Sequence, residues 1–156
     1  MKRIEGSADG KGLRVCVIDT SWNELIVGQL TTGALATLRR HGVAEDDVTH
    51  ATVAGAFELP IACQAAAQSG RFDAVVALGA VIRGSTPHFD YVAGEAAKGI
   101  AKVGLDTGIP VIFGVLTVDT IEQAMERAGT KLGNKGSEAA SVAVETARTL
   151  AAIKEG

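Results

Sequence analysis

Four apolar, β-type runs separated by helical patterns constrain the fold of this chain more than any other feature. They cover Leu13 to Asp19, Val48 to about Ala54, Ala74 to Ile82, and Ile109 to Leu116. Strands that alternate with helices pair in parallel, because a right-handed crossover returns the chain to the same end of the sheet. The sequence therefore predicts a three-layer α/β domain, with helices on both faces of a four-stranded parallel sheet.

Helical patterns fill the intervals between the predicted strands. The first runs from Glu24 to Arg40 with apolar residues at helical spacing, and Gly42 suits its C-cap. Asp119 and Glu122 resemble a capping box that opens a short helix ending at Ala128. The other predicted helices run from Pro60 to near Gly70, from Pro87 to about Asp106, and from Gly136 to about Ile153.

Length and charge exclude several classes of protein. A chain of 156 residues suits one domain, so residues 1–156 are expected to fold as a unit. Fifteen basic and eighteen acidic residues give a net charge of −3 without a basic block, so no nucleic-acid partner is expected. No apolar run approaches membrane-spanning length, and the charged residues near Met1 are not followed by the apolar core that a signal sequence has, so none is expected. The sequence thus predicts a cytoplasmic protein without membrane contact.

The two cysteines predict structural rather than metal-binding roles. Cys16 lies in an apolar run, and Cys63 lies in an alanine-rich helical segment. Neither belongs to a CxxC pair or has the spacing of metal ligands. Both are therefore expected to be buried free thiols in a reducing compartment, and no metal is expected.

The turn after the third predicted strand carries the strongest sign of chemistry. Residues 83–88 lead into a helix, with Thr86 suited to the N-cap and Pro87 to the first helical position. Backbone N–H groups of residues 84–86 would then be free at the positive end of the helix, where a phosphate binds well. His88, in the first turn, can transfer protons near neutral pH. The alternative is an ordinary strand-to-helix turn with a solvated histidine.

Other candidate residues lie near the ends of the strands, where ligands bind in open α/β sheets. Trp22 can stack on a flat ring, and Glu58 can accept hydrogen bonds from sugar hydroxyls. The main chain of residues 80–82 can bond the edge of a heterocycle, and Arg127 can bind a phosphate. Each has an ordinary alternative: a tryptophan covering the core, an acid at a helix start, a paired strand and a solvated arginine. Phe113 would ordinarily be a core residue.

Three segments occur in an order and spacing that resemble one enzyme family. They are Gly55-Ala56-Phe57-Glu58-Leu59-Pro60, the thirteen residues from Gly79 to Tyr91, and the residues from Gly114 to Lys131. With these motifs the chain closely resembles the 6,7-dimethyl-8-ribityllumazine synthase family, which catalyses the penultimate step of riboflavin biosynthesis. The resemblance extends from about Ile4 to the last helix.

The resemblance implies a flavodoxin-like sheet with strand order 2-1-3-4, in pentamers whose active sites lie between subunits. The implied transferase reaction joins 5-amino-6-(D-ribitylamino)uracil to 3,4-dihydroxy-2-butanone 4-phosphate without cofactor or metal. Residues 4–6 resemble a segment that pairs with a neighbour's sheet. Single pentamers, paired pentamers and icosahedral shells all stay open, as does riboflavin synthase as a further partner; the short connection from Gly129 to Gly136 is compatible with a shell.

The resemblance also implies a role for each candidate residue. Trp22 stacks on the pyrimidine, at a position where the family carries an aromatic residue, often Phe. His88 is the proton-transfer residue, Phe113 is contributed by a neighbouring subunit, and Lys135 lies near the ribityl end. The remaining contacts go from Ala56, Phe57 and Glu58 to the ribityl chain, from Ala80, Val81 and Ile82 to the pyrimidine, and from Ser85, Thr86 and Arg127 to the phosphate. Ser137 departs from the family, where many relatives have Trp, which affects packing near Lys135.

Two other functions remain open at this stage. One is a catalytically silent shell or flavin carrier on the same scaffold, since fold does not fix function. The combination of His88, Arg127 and Glu58 disfavours it, because a carrier needs no proton donor beside a phosphate site. The other is an unrelated phosphate or nucleotide binder, which would not need Trp22, Glu58 and His88 in these loops.

Overall fold

Four parallel strands form the central sheet of the computed structural model, which describes residues 1–156. They are β1 (Val15–Thr20), β2 (Val48–Val53), β3 (Ala74–Ile82) and β4 (Val111–Val118), and their spatial order is β2-β1-β3-β4. This order is that of a flavodoxin-like sheet. The predicted fold class and strand order are confirmed.

Burial along the strands follows from their positions in the sheet. Every residue of β1 is buried, as is every residue of β3 except half-buried Ile82, because helices cover both faces. The edge strand β2 has no buried residue. The continuous apolar runs of the inner strands therefore mark the centre of the sheet, and the mixed sequence of β2 marks its edge.

Five helices cover the two faces of the sheet. Helices α1 (Glu24–Arg40) and α5 (Lys135–Glu155) pack together on one face, and α2 (Leu59–Gln68) and α3 (His88–Thr107) pack together on the other. The short α4 (Ile121–Glu126) follows β4. None of these helices combines the length with the apolar composition that a membrane span requires.

Each face of the sheet has its own hydrophobic core. Leu30, Leu38 and Val144 lie fully buried in the core under α1 and α5, whereas Leu59 and Ile100 lie in the core under α2 and α3. Gly136 permits the close crossing of α1 and α5, because a Cβ atom there would collide with the backbone of Leu30. Burial on both faces is the main force that holds the helices on the sheet.

Both cysteines lie in the core beneath α2 and α3, as predicted. Burial raises the pKa of the Cys63 thiol to about 12, and burial also raises the pKa of Cys16. A thiol that keeps its proton is a poor nucleophile, so these residues act as small apolar groups.

Two helix starts differ from the prediction. Helix α3 begins at His88, so Pro87 and not Thr86 occupies the N-cap position, and no side chain caps the helix. The short helix after β4 is capped by Thr120, whose hydroxyl accepts from the Gln123 N–H at 3.1 Å, instead of by Asp119 and Glu122. Several residues in each turn can serve as caps, and the path of the preceding strand selects among them.

The C-terminal connection contains a hairpin that the sequence analysis did not predict. Strands β5 (Ala128–Thr130) and β6 (Gly133–Asn134) pair antiparallel between α4 and α5. Strand β4 also begins and ends two residues later than predicted, because its register with β3 continues to the pair Ile82 and Val118. Such short pairings depend on neighbouring elements more than on local sequence.

The N-terminal segment packs against α5 of the same chain. Residues 4–6 form no strand. Further along, the Arg148 guanidinium on α5 donates to the carbonyl oxygens of Asp9 at 2.8 Å and Lys11 at 2.6 Å. Residues 9–11 are thereby tied to the C-terminal helix, while the free edge of β2 is available for pairing.

Candidate active site at the switch point of the sheet

A crevice opens where strands β1 and β3 stop pairing and separate. The two strands pair from Val15 and Ala74 to Ile18 and Ala77, and β3 then continues to Ile82 beside β4 alone. The chain order reverses between these strands, which makes this the topological switch point where ligands bind in such sheets. A cavity of about 440 Å³ lies here, and we call it the switch-point crevice.

The crevice gathers most of the residues that the sequence analysis selected. Its walls come from the segments after β1 and β2, the end of β3 and the first turns of α3. The predicted residues that line it are Trp22, Ala56, Phe57, Glu58, Ala80, Val81, Ile82 and His88. An apolar wall with a few polar groups suits a small, partly planar ligand.

Trp22 presents an exposed indole to this crevice. Its side chain is 64% exposed, and its backbone N–H donates to the Ala54 carbonyl at 3.0 Å. The indole packs so closely on Gly55 that a Cβ atom there would lie 2.5 Å from Cε3 of the ring. The ring is thus supported from one side and is available for stacking from another.

One of the two carboxylate oxygens of Glu58 is hydrogen-bonded within the chain. The residue ends a 3₁₀ turn over Ala56–Glu58, and its Oε1 accepts from the Gly55 N–H at 3.1 Å. No group of the chain bonds the second carboxylate oxygen. That oxygen is free to accept from hydroxyl groups of a ligand.

The loop between β3 and α3 keeps its polar backbone groups free. The N–H groups of Gly84, Ser85 and Thr86 have no backbone partner in the chain. They precede the first turn of a 20-residue helix, whose dipole favours an anion. His88, the first residue of that helix, is exposed and lines the crevice. The free N–H groups and the imidazole therefore lie in one loop-to-helix segment.

Arg83 is not a free cation for a ligand at this loop. Its Nε donates to the Asp119 carboxylate at 2.9 Å, and Asp90 lies 3.5 Å from Nη1. The hydrogen bond to Asp119 raises the pKa of the guanidinium. The guanidinium carbon also lies 4.2 Å from the centre of the Phe89 ring. Arg83 thus links the loop after β3 to the loop after β4.

The other predicted residues line a second cavity. We call this the basic cavity; its volume is about 370 Å³, and Phe113, Arg127, Leu132, Lys135 and Glu138 are among its lining residues. The Arg127 Nη1 donates to the Gln123 carbonyl at 3.0 Å and lies 3.7 Å from the Glu126 carboxylate. The side chain is about 41% exposed, so the remaining donors are accessible.

Within one chain, therefore, the structure divides the candidate residues. Trp22, Glu58 and His88 share the switch-point crevice, whereas Phe113, Arg127 and Lys135 share the basic cavity. Ser85 and Thr86 are exposed and line neither. The family resemblance places Arg127 with these two residues at one phosphate, and a single chain does not bring all three into one cavity.

Some lining residues were not selected from the sequence. Asn23, Tyr91 and Val92 line the crevice, and Glu138 lines the basic cavity. Tyr91 lies one helical turn after His88, a spacing that places both on the same helix face. The spacing between His88 and Tyr91 could therefore have identified Tyr91 from the sequence. No local pattern identifies Glu138, because its neighbours in the cavity come from distant segments.

The fold defines a flavodoxin-like α/β protein with a crevice at its switch point, the position where proteins of this class bind small molecules. Residues 12–151 match the family model described as 6,7-dimethyl-8-ribityllumazine synthase. The chain is also 56% identical over 150 residues to the 6,7-dimethyl-8-ribityllumazine synthase of Nitratidesulfovibrio vulgaris, covering 96% of each sequence. The chain belongs to the 6,7-dimethyl-8-ribityllumazine synthase family, which confirms the resemblance seen in the sequence.

Proposed function

We propose that this chain condenses 5-amino-6-(D-ribitylamino)uracil with 3,4-dihydroxy-2-butanone 4-phosphate. The products are 6,7-dimethyl-8-ribityllumazine, phosphate and water, and the reaction is the penultimate step of riboflavin biosynthesis. Family membership supports this transferase activity. The observation that carries the proposal is the crevice itself, which combines an exposed indole, a free carboxylate oxygen and an imidazole.

The ribitylaminouracil fits the polar and aromatic groups of the switch-point crevice. Its pyrimidine stacks on Trp22 and meets the main chain of Ala80, Val81 and Ile82 at the end of β3. Its ribityl hydroxyls reach the segment Ala56–Glu58, where the second carboxylate oxygen of Glu58 accepts from them. Each ligand group then has a partner of matching chemistry.

The phosphate of the butanone fits the N–H groups before α3. Ser85 and Thr86 offer unpaired N–H donors, and the adjacent helix end adds a favourable dipole. Arg127 adds a charged guanidinium, whose planar donors suit phosphate.

His88 carries the proton transfers of this proposed reaction. The amine of one substrate attacks the ketone of the other, and a first water leaves to give an imine. Phosphate is then eliminated, and the ribitylamino nitrogen closes the ring by attacking the remaining carbonyl, whose oxygen leaves as a second water. Protons move at each of these steps, and an imidazole accepts and donates them near neutral pH. Holding two small substrates together supplies much of the remaining acceleration. No cofactor or metal enters this scheme.

The division between the two cavities supports an active site between subunits. We propose that Phe113, Arg127 and Lys135 of one copy complete the crevice of the next. Exposed apolar residues lie on both sides, with Phe57 and Tyr91 at the crevice and Leu132 at the basic cavity. Two different surfaces that meet head to tail generate a closed ring when the rotation closes. A pentameric ring is the proposed unit, with icosahedral packing of pentamers as a possible higher assembly.

Residues 1–156 are proposed to act as one domain in the cytoplasm. Two cores share one sheet, which supports a single folding unit. The buried free thiols are compatible with a reducing compartment. Riboflavin synthase is a proposed partner because it consumes the lumazine product.

A direct assay tests the reaction. The purified protein is mixed with both substrates, and lumazine fluorescence and inorganic phosphate are followed without added metal or nucleotide. We expect lumazine and phosphate to form at equal rates above the uncatalysed background. Intact pyrimidine binding without product formation would favour a flavin or lumazine carrier and would overturn the proposed reaction.

A mixing experiment tests the shared site. Two variants that lose most activity at substrate concentrations well below KM, Glu58→Ala and Arg127→Ala, are unfolded together in equal amounts, refolded and assayed at those concentrations. Random head-to-tail neighbours would create intact crevice and cavity pairs at about one quarter of the sites. Recovery of about a quarter of wild-type activity supports a shared site, and no gain over the separate variants would place each site within one chain.

A further inference from the structure

Asn23 has a backbone conformation that no other non-glycine residue of the chain adopts. Its φ is 58° and its ψ is 41°, which is the left-handed region. Asparagine enters this region more easily than most residues, but the conformation still needs support from the surrounding structure. Asn23 lines the switch-point crevice, directly after Trp22.

The side chain of Asn23 does not serve the helix that it precedes. Asn23 occupies the N-cap position of α1, where an asparagine side chain commonly accepts from the helix backbone. Here it makes no capping hydrogen bond, and only its backbone carbonyl accepts from Ile26 and Val27. The amide is therefore available for another contact.

That contact crosses the crevice to β3. The Asn23 Nδ2 donates to the Ala80 carbonyl oxygen at 2.9 Å. Pairing between β1 and β3 has already ended at Ile18 and Ala77, so no strand backbone joins the two walls at this level. The side-chain amide of Asn23 makes the only hydrogen bond between residues 21–23 and β3.

The same loop is fixed on its other sides. The Trp22 N–H donates to Ala54 at 3.0 Å, and the Thr20 hydroxyl donates to the Trp22 carbonyl at 3.3 Å. Gly55 supports the indole by close packing. Without the Asn23 amide, the loop would be held to β1 and to the segment after β2, but not to β3.

We propose that Asn23 is a positioning residue that sets the distance between the Trp22 indole and the main chain of β3. A planar ring that stacks on Trp22 and bonds the end of β3 must fit that distance. Asn23 then acts through Trp22 and Ala80 without contacting the reacting atoms. That this ring is the pyrimidine of the ribitylaminouracil rests on the proposed function.

Two substitutions separate the amide from the backbone conformation. Asn23→Gly keeps easy access to the left-handed region and removes the amide. Asn23→Asp keeps the shape of the side chain and replaces the donor with an acceptor. Gln29→Glu is the matched control, because it makes the same amide-to-carboxylate change at an exposed position of α1 whose side chain makes no hydrogen bond.

Kinetics of the wild type and variants give the first measurement. The KM for the ribitylaminouracil should rise about three- to tenfold in both Asn23 variants, as expected for the loss of one neutral hydrogen bond. The KM for the butanone phosphate should stay within about twofold, because its proposed contacts lie elsewhere. A wild-type KM for the uracil in both variants, or an equal loss for both substrates, would overturn the proposal.

Fluorescence without ligand gives a second measurement that does not depend on the reaction. Trp22 is the only tryptophan, so all indole emission reports on this loop. Acrylamide quenching should increase and emission anisotropy should fall in both Asn23 variants, with Gln29→Glu unchanged. Unchanged quenching would overturn the inference. Inactive wild-type protein would instead reject the proposed function, and the quenching result would still decide the role of Asn23.

Discussion

The switch-point crevice and the basic cavity are built in different ways. The segments that follow β1 and β2, the end of β3 and the start of α3 form the crevice, and apolar groups dominate its lining. The basic cavity lies between β4, the end of α4 and the start of α5, and it contains Arg127, Lys135 and Glu138. The crevice suits a planar ring, whereas the basic cavity suits an anion.

This difference shows why neither cavity is a complete site for the proposed reaction. The crevice has a stacking ring and a proton-transfer group, but its nearby arginine, Arg83, is already paired with Asp119 and Asp90. The basic cavity has an accessible guanidinium without an imidazole. Variants of Trp22 and His88 in the crevice should therefore affect pyrimidine binding and turnover, and a variant of Arg127 in the basic cavity should affect phosphate binding.

His88→Ala should give the largest effect and should act on turnover. General acid–base groups contribute roughly 10²- to 10⁴-fold, and the exposed position of His88 lets water replace part of its role. We expect kcat to fall about 10²-fold, with KM for either substrate changed less. Thermal unfolding should match the wild type, because the His88 side chain is exposed. A wild-type kcat would assign proton transfer to another group.

Arg127→Ala should act on the phosphate substrate alone. Loss of a charge-assisted contact of about 1.5 to 3 kcal/mol weakens apparent affinity for the butanone phosphate on the order of ten- to a hundredfold. The KM for the ribitylaminouracil should barely change. Titration of each substrate measures the asymmetry, and Arg39→Ala, at an exposed position of α1, controls for the lost positive charge. Equal losses for both substrates would remove the distinction between the two cavities.

Trp22 variants test the apolar character of the crevice. Trp22→Ala should weaken binding of the ribitylaminouracil about tenfold, through lost stacking and lost buried area, whereas Trp22→Phe should keep most affinity. In the wild type, a bound pyrimidine or flavin-like ring should quench Trp22 emission. Equilibrium titration measures both effects. Unchanged affinity in the alanine variant would exclude Trp22 from the site.

The smallest expected effect is on the pH dependence of stability, and it comes from Cys63 in the core under α2 and α3. Burial raises its pKa from the ordinary value of 9.0 to about 12 in the folded protein. Above pH 9 the unfolded chain releases this proton and the folded chain keeps it. Titration of Cys63 therefore leaves the free energy of unfolding unchanged below pH 9. Between pH 9 and 12 it lowers the free energy of unfolding by about 1.4 kcal/mol per pH unit.

Urea unfolding at pH 8, 9 and 10 measures this slope. Cys63→Ala should be less stable at pH 8 because a buried group is lost, but its stability should decline less steeply above pH 9. Cys16 also has a raised pKa, so part of the slope remains in the variant. Equal slopes in the two proteins would mean that Cys63 does not keep its proton in the folded state.

The periodic elements could be predicted from the sequence because their signals are local. The observed bounds of Glu24–Arg40 and Ala74–Ile82 match the predicted ones, since apolar spacing and flanking turn residues define both. The free N–H groups after β3 were also predictable, because a strand, a glycine and a helix start follow one another directly in the chain. Most crevice residues lie at the carboxyl ends of strands or in the segments that follow them, so the parallel arrangement of the strands brings them to one edge of the sheet.

Only the tertiary structure decided the features that join distant segments. The left-handed Asn23 and its bond to Ala80 depend on how far β1 and β3 separate, which no local pattern encodes. The hairpin after α4 and the separation of Arg127 from Ser85 likewise depend on where β4 directs the chain. Local spacing determines which face a side chain takes on its own helix or strand. The packing of the sheet against its helices determines which side chains meet across the molecule.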